Sequence, residues 1–239
     1  MEKINTIMFD LDGTLLSIDM KEFERIYYKS LSKFFKDIVS AEDFMKIIYS
    51  SMKTVIENTE KRTNEDVFME ALKERVQDDF HLYEKRFDEY YNSDFSLLKE
   101  AVTIRAEITE ATDLLKEKGY ELVIATNPLF PEKAIEQRIT WSGVNRDHFS
   151  YVSHLERNHY TKPNVAYYEE ILESINKQPE ECMMVGNDAL EDMVAKKIGI
   201  TTYLITDHLL NRHDIEVIAD HKGDYTDFLT FAKEMPHLS

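Results

Sequence analysis

The sequence predicts an α/β protein in which an all-helical segment is inserted into a parallel-sheet core. Two observations support this fold class. After Glu100, short apolar segments alternate with helix-like segments, which is typical of a parallel sheet with right-handed crossover connections. Between Leu15 and Glu100, in contrast, no glycine or proline occurs and apolar residues recur at helical spacing. The 239 residues suffice for one large domain or two modest ones.

A short apolar run at residues 4–9 is the first predicted strand. It ends at Asp10, and a brief run that stops so abruptly is typical of a buried parallel strand. The sequence Asp-Leu-Asp-Gly-Thr then indicates a loop, in which Gly13 supplies the backbone freedom of a tight turn.

Residues 20–95 are predicted to form a helical bundle. Three apolar series at helical spacing predict helices over 23–38, 44–56 and 68–80. Ser40 with Asp43, and Thr63 with Asp66, have the offset of N-cap pairs at the start of the second and third helices. We therefore assign residues 17–99 to an inserted helical subdomain, and residues 1–16 and 100–239 to the core.

The rest of the core is predicted to alternate between helices and strands. Strands are expected at 121–125, 151–153, 182–185 and 200–205. Helices are expected at 109–118, from Pro131 to 141, at 166–175, and in the segment that leads up to Lys197. Gly119 and Gly143 are the expected C-terminal ends of the first two of these helices.

The composition argues against several classes of protein. A net charge of −17 without a block of basic residues disfavours binding to nucleic acid or to anionic membranes. The single cysteine, Cys182, excludes a disulfide scaffold and a zinc site built on several thiolates. No apolar run reaches the roughly 18 residues of a membrane span, and the chain opens on a strand-like segment rather than a secretory signal. We expect a cytoplasmic protein whose partners include neither nucleic acid nor membrane.

Polar side chains follow the predicted strands at the points where the strands end. Open parallel sheets bind ligands just beyond the carboxyl ends of their strands, so the topology is expected to bring these side chains together. They are Asp10, Asp12, Thr126, Asn127, Lys162, Asn187, Asp188 and Asp192. Crowded carboxylates need a cation, and oxygen ligands without nearby histidine or cysteine favour Mg²⁺. A hydroxyl, an ammonium group and a metal ion would suit a phosphoryl group, which a carboxylate can attack.

Four of these segments resemble the motifs of a known family. Residues 9–15, Phe-Asp-Leu-Asp-Gly-Thr-Leu, closely resemble the first motif of the haloacid dehalogenase-like hydrolases. Thr126, Lys162 and the segment 186–192 resemble the second, third and fourth motifs, in order and at compatible spacing. The helical insert resembles the helical cap of that family. The resemblance covers nearly the whole chain and implies a Rossmann-like α/β core with a cap that closes over the site.

The resemblance also implies a role for each residue. Asp10 would be the nucleophile that attacks phosphorus. Asp12 would protonate the leaving-group oxygen and then activate the hydrolytic water. Thr126 and Asn127 would bind phosphoryl oxygens, and Lys162 would steady the nucleophile and bind the phosphate.

The implied metal site departs from the family pattern at one position. Mg²⁺ would be bound by the Asp10 carboxylate, the main-chain carbonyl of Asp12 and an acid of the fourth motif. Many members carry that acid directly after the glycine, where this chain has Asn187. We therefore assign the metal to Asp188, with Asn187 as a further ligand or a neighbour of the metal's waters. Asp192 is expected to orient those waters or the lysine.

The expected function is Mg²⁺-dependent hydrolysis of a small phosphorylated metabolite through an aspartyl-phosphate on Asp10. Asp12 favours phosphate esters over carbon–halogen substrates, because dehalogenation leaves no alkoxide to protonate. Two alternatives stay open: a phosphomutase or other phosphotransferase with the same phospho-enzyme, and a non-catalytic binding protein on this scaffold. The sequence leaves both the substrate and the oligomeric state open.

Overall fold

A computed structural model describes residues 3–238 and confirms the α/β fold class. Met1, Glu2 and Ser239, which the predicted core includes at its two ends, lie outside the described residues. The strands are β1 (Thr6–Phe9), β2 (Ser17–Ile18), β3 (Val102–Thr103), β4 (Glu121–Ile124), β5 (Phe149–Val152), β6 (Cys182–Gly186), β7 (Thr201–Ile205) and β8 (His221–Gly223). The helices are α1 (Met20–Lys33), α2 (Ala41–Ile56), α3 (Asn64–Val76), α4 (Phe80–Tyr91), α5 (Ala106–Glu117), α6 (Glu132–Ser142), α7 (Val165–Ile175) and α8 (Tyr225–Glu234).

Six strands form one parallel sheet in the order β5-β4-β1-β6-β7-β8. The first strand of the chain therefore lies inside the sheet. Phe9, its last residue, pairs with Ile124 of β4 on one side and with Val185 of β6 on the other. The residues that follow β1, β4 and β6 are thus delivered to the same edge of the sheet.

Helices cover both faces of this sheet, as the side-chain alternation of β1 requires. Ile7 and Phe9 point into a core formed with α5, α6 and α8, whereas Met8 points into a second core formed with α7. All three side chains are fully buried. The apolar character of both faces explains why the strand contains a continuous apolar run rather than an alternating one.

Helices α1 to α4 form the inserted segment and share the first of these cores with α5, α6 and α8. The chain leaves and re-enters the sheet region at adjacent points, because β2 and β3 pair antiparallel, with Ser17 opposite Thr103. The predicted N-caps are confirmed: the side chain of Ser40 accepts the amide of Asp43, and that of Thr63 accepts the amide of Asp66. Both bonds satisfy amides that the first turn of a helix leaves unpaired.

Three helix predictions were wrong in extent. The first helix was predicted to continue to residue 38, but α1 ends at Lys33, because the next two amides bond to carbonyls three residues back instead of four. The third helix was predicted to continue to residue 80, but α3 ends at Val76 because Gln77 has a φ of 50°. The helix predicted before Lys197 is a short 3-10 segment, Met193–Ile198. One carboxylate oxygen of Asp188 accepts hydrogen bonds from the amides of Leu190 and Glu191, at 2.9 Å each, and such local bonds compete with helix formation.

The sequence reasoning also missed α4, the β2–β3 pair, β8 and α8. Within residues 3–238, no helix is both long and apolar enough to cross a membrane.

A buried lysine attaches α8 to the core. The Lys118 side chain is almost inaccessible, and its Nζ donates to the carbonyls of Ala232, Lys233 and Met235 at 2.9, 2.7 and 2.6 Å. These are carbonyls at the end of a helix, where the chain leaves acceptors unpaired and a cation is favourable. The interaction fixes the C-terminal helix against the residue that follows α5.

Lys118→Met is expected to lower the free energy of unfolding by about 2–3 kcal/mol, the scale of hydrogen bonds to a charged group. Urea unfolding monitored by circular dichroism would measure the loss. Lys233→Met is the matched control, because Lys233 bridges α8 to Glu110 of α5 through an exposed pair at 2.8 Å. Such a pair contributes only about 0–1 kcal/mol. Equal losses in the two variants would contradict the assigned role of Lys118.

Candidate active site

The first catalytic candidates lie where β1 ends. The amide of Asp10 still belongs to the sheet and donates to the Val185 carbonyl at 2.9 Å, which fixes the backbone under its carboxylate. The chain then turns at Gly13, whose φ is +88°. A Cβ at that position would lie 2.4 Å from Nδ2 of Asn187, so the turn needs glycine both for its conformation and for the close approach of the fourth motif.

A cavity of about 500 Å³ opens at the carboxyl edge of the sheet, between the core and the inserted helices. Every predicted site residue except Lys162 lines it: Asp10, Asp12, Thr126, Asn127, Asn187, Asp188 and Asp192. The topology therefore brings together residues that are far apart in sequence. Lys162 lies immediately behind this wall, with its side chain 1% exposed.

Lys162 joins two of the predicted carboxylates. Its Nζ donates to Oδ1 of Asp10 at 2.9 Å and to Oδ1 of Asp192 at 2.6 Å. Burial alone would lower the pKa of Lys162, but the charges of Asp10 and Asp192 outweigh it and raise that pKa well above its usual value. Burial raises the pKa of both aspartates, although the lysine opposes the shift. The lysine thus stays charged and holds the Asp10 carboxylate in place.

The second motif is rigid around Thr126. Its carbonyl accepts hydrogen bonds from the Ser153 hydroxyl at 2.6 Å and from the Tyr167 hydroxyl at 2.7 Å. The next side chain, Asn127, is engaged by the protein: its Nδ2 donates to Glu191 at 3.0 Å and its Oδ1 accepts the amide of Lys162 at 3.3 Å. Asn127 therefore ties the second, third and fourth motifs to one another.

Most polar side-chain atoms of the fourth motif are hydrogen-bonded within the protein. Both groups of the Asn187 amide are taken, because Oδ1 accepts from Thr14 at 3.1 Å and Nδ2 donates to the His208 carbonyl at 2.7 Å. Asp192 is also committed, since its second carboxylate oxygen accepts the amide of Asp188 at 2.8 Å. Oδ2 of Asp188, in contrast, is buried and accepts no hydrogen bond within the described residues, although an arginine side chain pairs with it at 3.0 Å.

These contacts bear on where a metal can bind. No preformed cluster of three Asp, Glu, His or Cys side chains occurs in the part of the chain that the structure describes. The predicted ligand set needs only two side chains, Asp10 and Asp188, because its third member is the main-chain carbonyl of Asp12. The buried Oδ2 of Asp188 makes no hydrogen bond and already lies against a positive charge, that of Arg212 at 3.0 Å, so the position suits a cation, and the all-oxygen donor set fits Mg²⁺.

Three charged residues of the site were missed by the sequence reasoning: Glu191, Arg138 and Arg212. Glu191 lines the cavity, and burial raises the pKa of its carboxyl group. Arg212 reaches Asp188 at 3.0 Å and Glu191 at 3.3 Å from the irregular segment after β7. Arg138 of α6 forms an ion pair with Asp12.

A parallel sheet that gathers carboxylates, a hydroxyl and a buried lysine at its carboxyl edge defines an enzyme of the α/β class whose site handles an anionic group. The chain belongs to the haloacid dehalogenase-like hydrolase family, whose model matches residues 4–199. The prediction of that family from the four motifs is therefore confirmed.

Individual relatives are distant but match along nearly the whole chain. The pyrophosphatase PpaX of Bacillus mycoides (strain KBAB4) is 24% identical over 223 residues, which cover 93% of this chain and 92% of that protein. Two solved structures share the fold. A predicted phosphoglycolate phosphatase from Haemophilus somnus 129PT has a TM-score of 0.60 at 20% identity, and covers 96% of this chain and 98% of its own. A 2-haloacid dehalogenase from Pseudomonas syringae pv. tomato DC3000 has a TM-score of 0.66 at 17% identity, with the same coverage.

Proposed function

We propose that this hydrolase is a Mg²⁺-dependent phosphatase that acts on a small phosphorylated metabolite through an aspartyl-phosphate on Asp10. The observation that carries the proposal is the pairing of Asp10 with the buried Lys162 at 2.9 Å, in a cavity that Asp12 also lines. A fixed carboxylate nucleophile beside a second carboxylate is what a two-step phosphoryl transfer to water requires.

The first step forms the phospho-enzyme. The Asp10 carboxylate attacks phosphorus, the bond from phosphorus to the leaving oxygen breaks, and Asp12 gives its proton to that oxygen. Lys162 holds the nucleophile and offsets negative charge near the reacting phosphoryl group. Asp10, the Asp12 carbonyl and Asp188 would hold Mg²⁺, whose positive charge would neutralise the carboxylates and stabilise negative charge on the phosphoryl group.

The second step regenerates the enzyme. Asp12, now ionised, takes a proton from a water molecule, and the resulting hydroxide attacks the phosphorus of the aspartyl-phosphate. The bond between phosphorus and the Asp10 oxygen breaks, which releases inorganic phosphate and restores the carboxylate. The same residue thus serves as acid and then as base.

We assign residues 17–99 to a cap that selects the substrate. One wall of the cavity comes from this segment. It is mostly apolar or aromatic, with Phe23, Tyr27, Tyr28 and Ile56, and also contains Glu24. Closure of the cap would exclude bulk water from the first step. The opposite wall carries the polar residues of the core, so the phosphoryl group is expected on the core side and the rest of the substrate against the cap.

The relatives guide the choice of substrates to assay. The PpaX name specifies pyrophosphate hydrolysis, and the Haemophilus structure is described as a predicted phosphoglycolate phosphatase. Inorganic pyrophosphate and phosphoglycolate are both small anions, so both compounds belong in the first substrate panel. A 2-haloacid belongs there as well, because a dehalogenase shares the fold.

Hydrolysis of p-nitrophenyl phosphate is the decisive measurement. Turnover is expected with Mg²⁺, and removal of the metal by EDTA is expected to lower kcat/KM at least about 100-fold, since a metal ion supplies several kcal/mol of charge stabilisation. Asp10→Asn, run in parallel, is expected to be inactive.

Other outcomes would redirect the assignment. Release of halide from the 2-haloacid, without turnover of phosphate esters, would contradict the proposal and identify a dehalogenase. Transfer of the phosphoryl group within a sugar phosphate, seen by product analysis, would identify the phosphomutase alternative. Absence of turnover on the whole panel, together with no Mg²⁺ binding in a calorimetric titration, would favour the non-catalytic binding protein.

A further inference from the structure

We propose that Arg138 is a positioning residue that holds Oδ2 of the Asp12 carboxyl group, so that Oδ1 can carry the proton that Asp12 gives to the leaving group. The inference rests on the proposed phosphatase function. Arg138 lies outside the four motifs, on α6, and does not line the cavity. It therefore acts on the reaction through Asp12 and not by touching the substrate.

The Arg138 side chain is 1% exposed, and its Nη1 donates to Oδ2 of Asp12. Its guanidinium also packs over the ring of Phe130, at 4.3 Å from the ring centroid. Its other hydrogen bond is a long one, from Nε to the Ala134 carbonyl of its own helix at 3.4 Å. Nη2 of Arg138 and Oδ1 of Asp12 are buried and have no hydrogen-bond partner within residues 3–238. Asp12 is thus the only acidic partner of this buried cation among the described residues.

Electrostatics explain why Asp12 needs a fixed partner. Asp10 and Asp12 line the same cavity, and two ionised carboxylates that share a site repel each other. An unrestrained Asp12 side chain would move away from Asp10 and from the leaving oxygen. A buried guanidinium behind Asp12 opposes that movement, because its hydrogen bond to Oδ2 is directional, is shielded from water, and can persist while Oδ1 carries the proton.

The inserted helices hold Arg138 in turn. Above Phe130 the hydroxyls of Tyr27 on α1 and Tyr91 on α4 are 3.0 Å apart, and the ring of Tyr27 meets Phe130 edge to face at 5.4 Å. The residue before Arg138, Gln137, donates to the Tyr91 carbonyl at 2.9 Å. These contacts leave the guanidinium little room to turn away from Asp12, and they connect the position of the acid to the packing of the inserted segment.

The test is the leaving-group dependence of Arg138→Met. The ratio kcat/KM reports events up to leaving-group departure, so it isolates the step in which Asp12 acts as an acid. Phenoxide is a poorer leaving group than p-nitrophenoxide and depends more on protonation. We expect kcat/KM to fall at least about 10-fold for phenyl phosphate and no more than about 3-fold for p-nitrophenyl phosphate, since general acid catalysis contributes on the order of 10²–10⁴-fold.

Arg146→Met is the matched control. Arg146 follows the same helix and pairs with Glu136 at 2.8 Å, but it is half-exposed and remote from Asp12. It is expected to leave both rates unchanged. Arg138→Lys is the second variant in case Arg138→Met does not fold, since lysine keeps the charge but not the planar fork that stacks on Phe130. We expect it to show the same selective loss for phenyl phosphate, to a smaller extent.

The outcomes separate this inference from the proposed function. If the wild-type protein hydrolyses both esters and the folded Arg138 variants lose activity equally on both, or on neither, Arg138 does not position the acid and the phosphatase assignment stands. If the wild-type protein hydrolyses no phosphate ester, the proposed function fails and this inference fails with it.

Discussion

Asp10→Asn is expected to abolish turnover while the fold is retained. The amide has almost the size of the carboxylate and can still accept the hydrogen bond from Lys162, so the packing behind the cavity is preserved. It cannot attack phosphorus, and loss of a covalent nucleophile typically costs at least about 10⁴-fold in kcat. The thermal midpoint should remain close to that of the wild-type protein, because burial already disfavours the charge at this position.

The measurement is kcat for the best ester of the panel, paired with the melting temperature. Asp220→Asn is the matched control, because that carboxylate is also hydrogen-bonded at the sheet, accepting from the amide and hydroxyl of Thr202 at 3.0 Å each, but it lies outside the cavity. The control should keep its activity. If kcat of Asp10→Asn stayed within about 10-fold of the wild-type value, the loss would be far smaller than removal of a nucleophile causes. That result would overturn the assignment.

Lys162→Met is expected to damage both stability and activity. It leaves the carboxylates of Asp10 and Asp192 without their shared cation, with side chains only 12% and 1% exposed. Removing one partner of a buried ion pair costs about 3–5 kcal/mol. Activity should fall by at least about 10²–10³-fold, the scale for losing one preorganised group at the developing charge.

The stability loss should depend on pH in a defined direction. Burial raises the pKa of Asp10 and Asp192 in the native protein, and removal of the lysine removes the opposing effect. A carboxyl group with a higher pKa in the native than in the unfolded protein binds more protons in the native state. The free energy of unfolding therefore falls as the pH rises from the pKa of the unfolded state to the higher pKa of the native state. Lys162→Met should consequently be closer to wild type in stability at pH 5 than at pH 8.

Lys196→Met provides the comparison for this second variant. Lys196 also pairs with an aspartate, Asp220, but both side chains are about one-third exposed. That variant should lose no more than about 1 kcal/mol at either pH. A Lys162→Met variant as stable as Lys196→Met, or equally destabilised at both pH values, would contradict the buried triad of Lys162, Asp10 and Asp192.

The sequence sufficed for the parts of the site that follow from sheet topology. Asp10 and Thr126 each come directly after a short apolar run, and Asp188 comes two residues after the end of β6. Parallel strands must bring such positions to one edge. Lys162 could be placed by the resemblance, but its double contact with Asp10 and Asp192 depends on backbone positions that no spacing specifies. Only the three-dimensional structure reveals those two contacts.

The sequence contains a weak indication of one arginine of the site and none of the other. Arg138 lies among Ala134, Ile135 and Ile139, on the buried face of α6, so a charge within an apolar stripe marked it in the sequence. Its partner could not be inferred from that pattern. Arg212 lies in a segment without periodicity between β7 and β8, where nothing in the sequence predicts which way a side chain points.

The two missed helices, α4 and α8, have different explanations. The residues of α4 carry apolar side chains at helical spacing, but the series runs on from α3 without a glycine or proline to separate them. The break depends on the backbone of Gln77, a residue with no strong preference for positive φ. Helix α8 did have sequence signals. Asp224 and Asp227 form a capping box at its start, and its buried residues Tyr225, Phe228, Leu229 and Ala232 recur at helical spacing.

The interior position of β1 has a consequence for how the protein folds. The strand that carries the proposed nucleophile pairs with β4 and β6, both of which come from the far side of the long helical insertion. Its ladder bonds can form only after a large loop closes, and pairings between distant parts of a chain slow folding. During synthesis from the N-terminus, the apolar segment Thr6–Phe9 therefore waits unpaired until β4 and then β6 have emerged. Catalytic activity is therefore expected to appear late in folding, when β1 has paired with both β4 and β6.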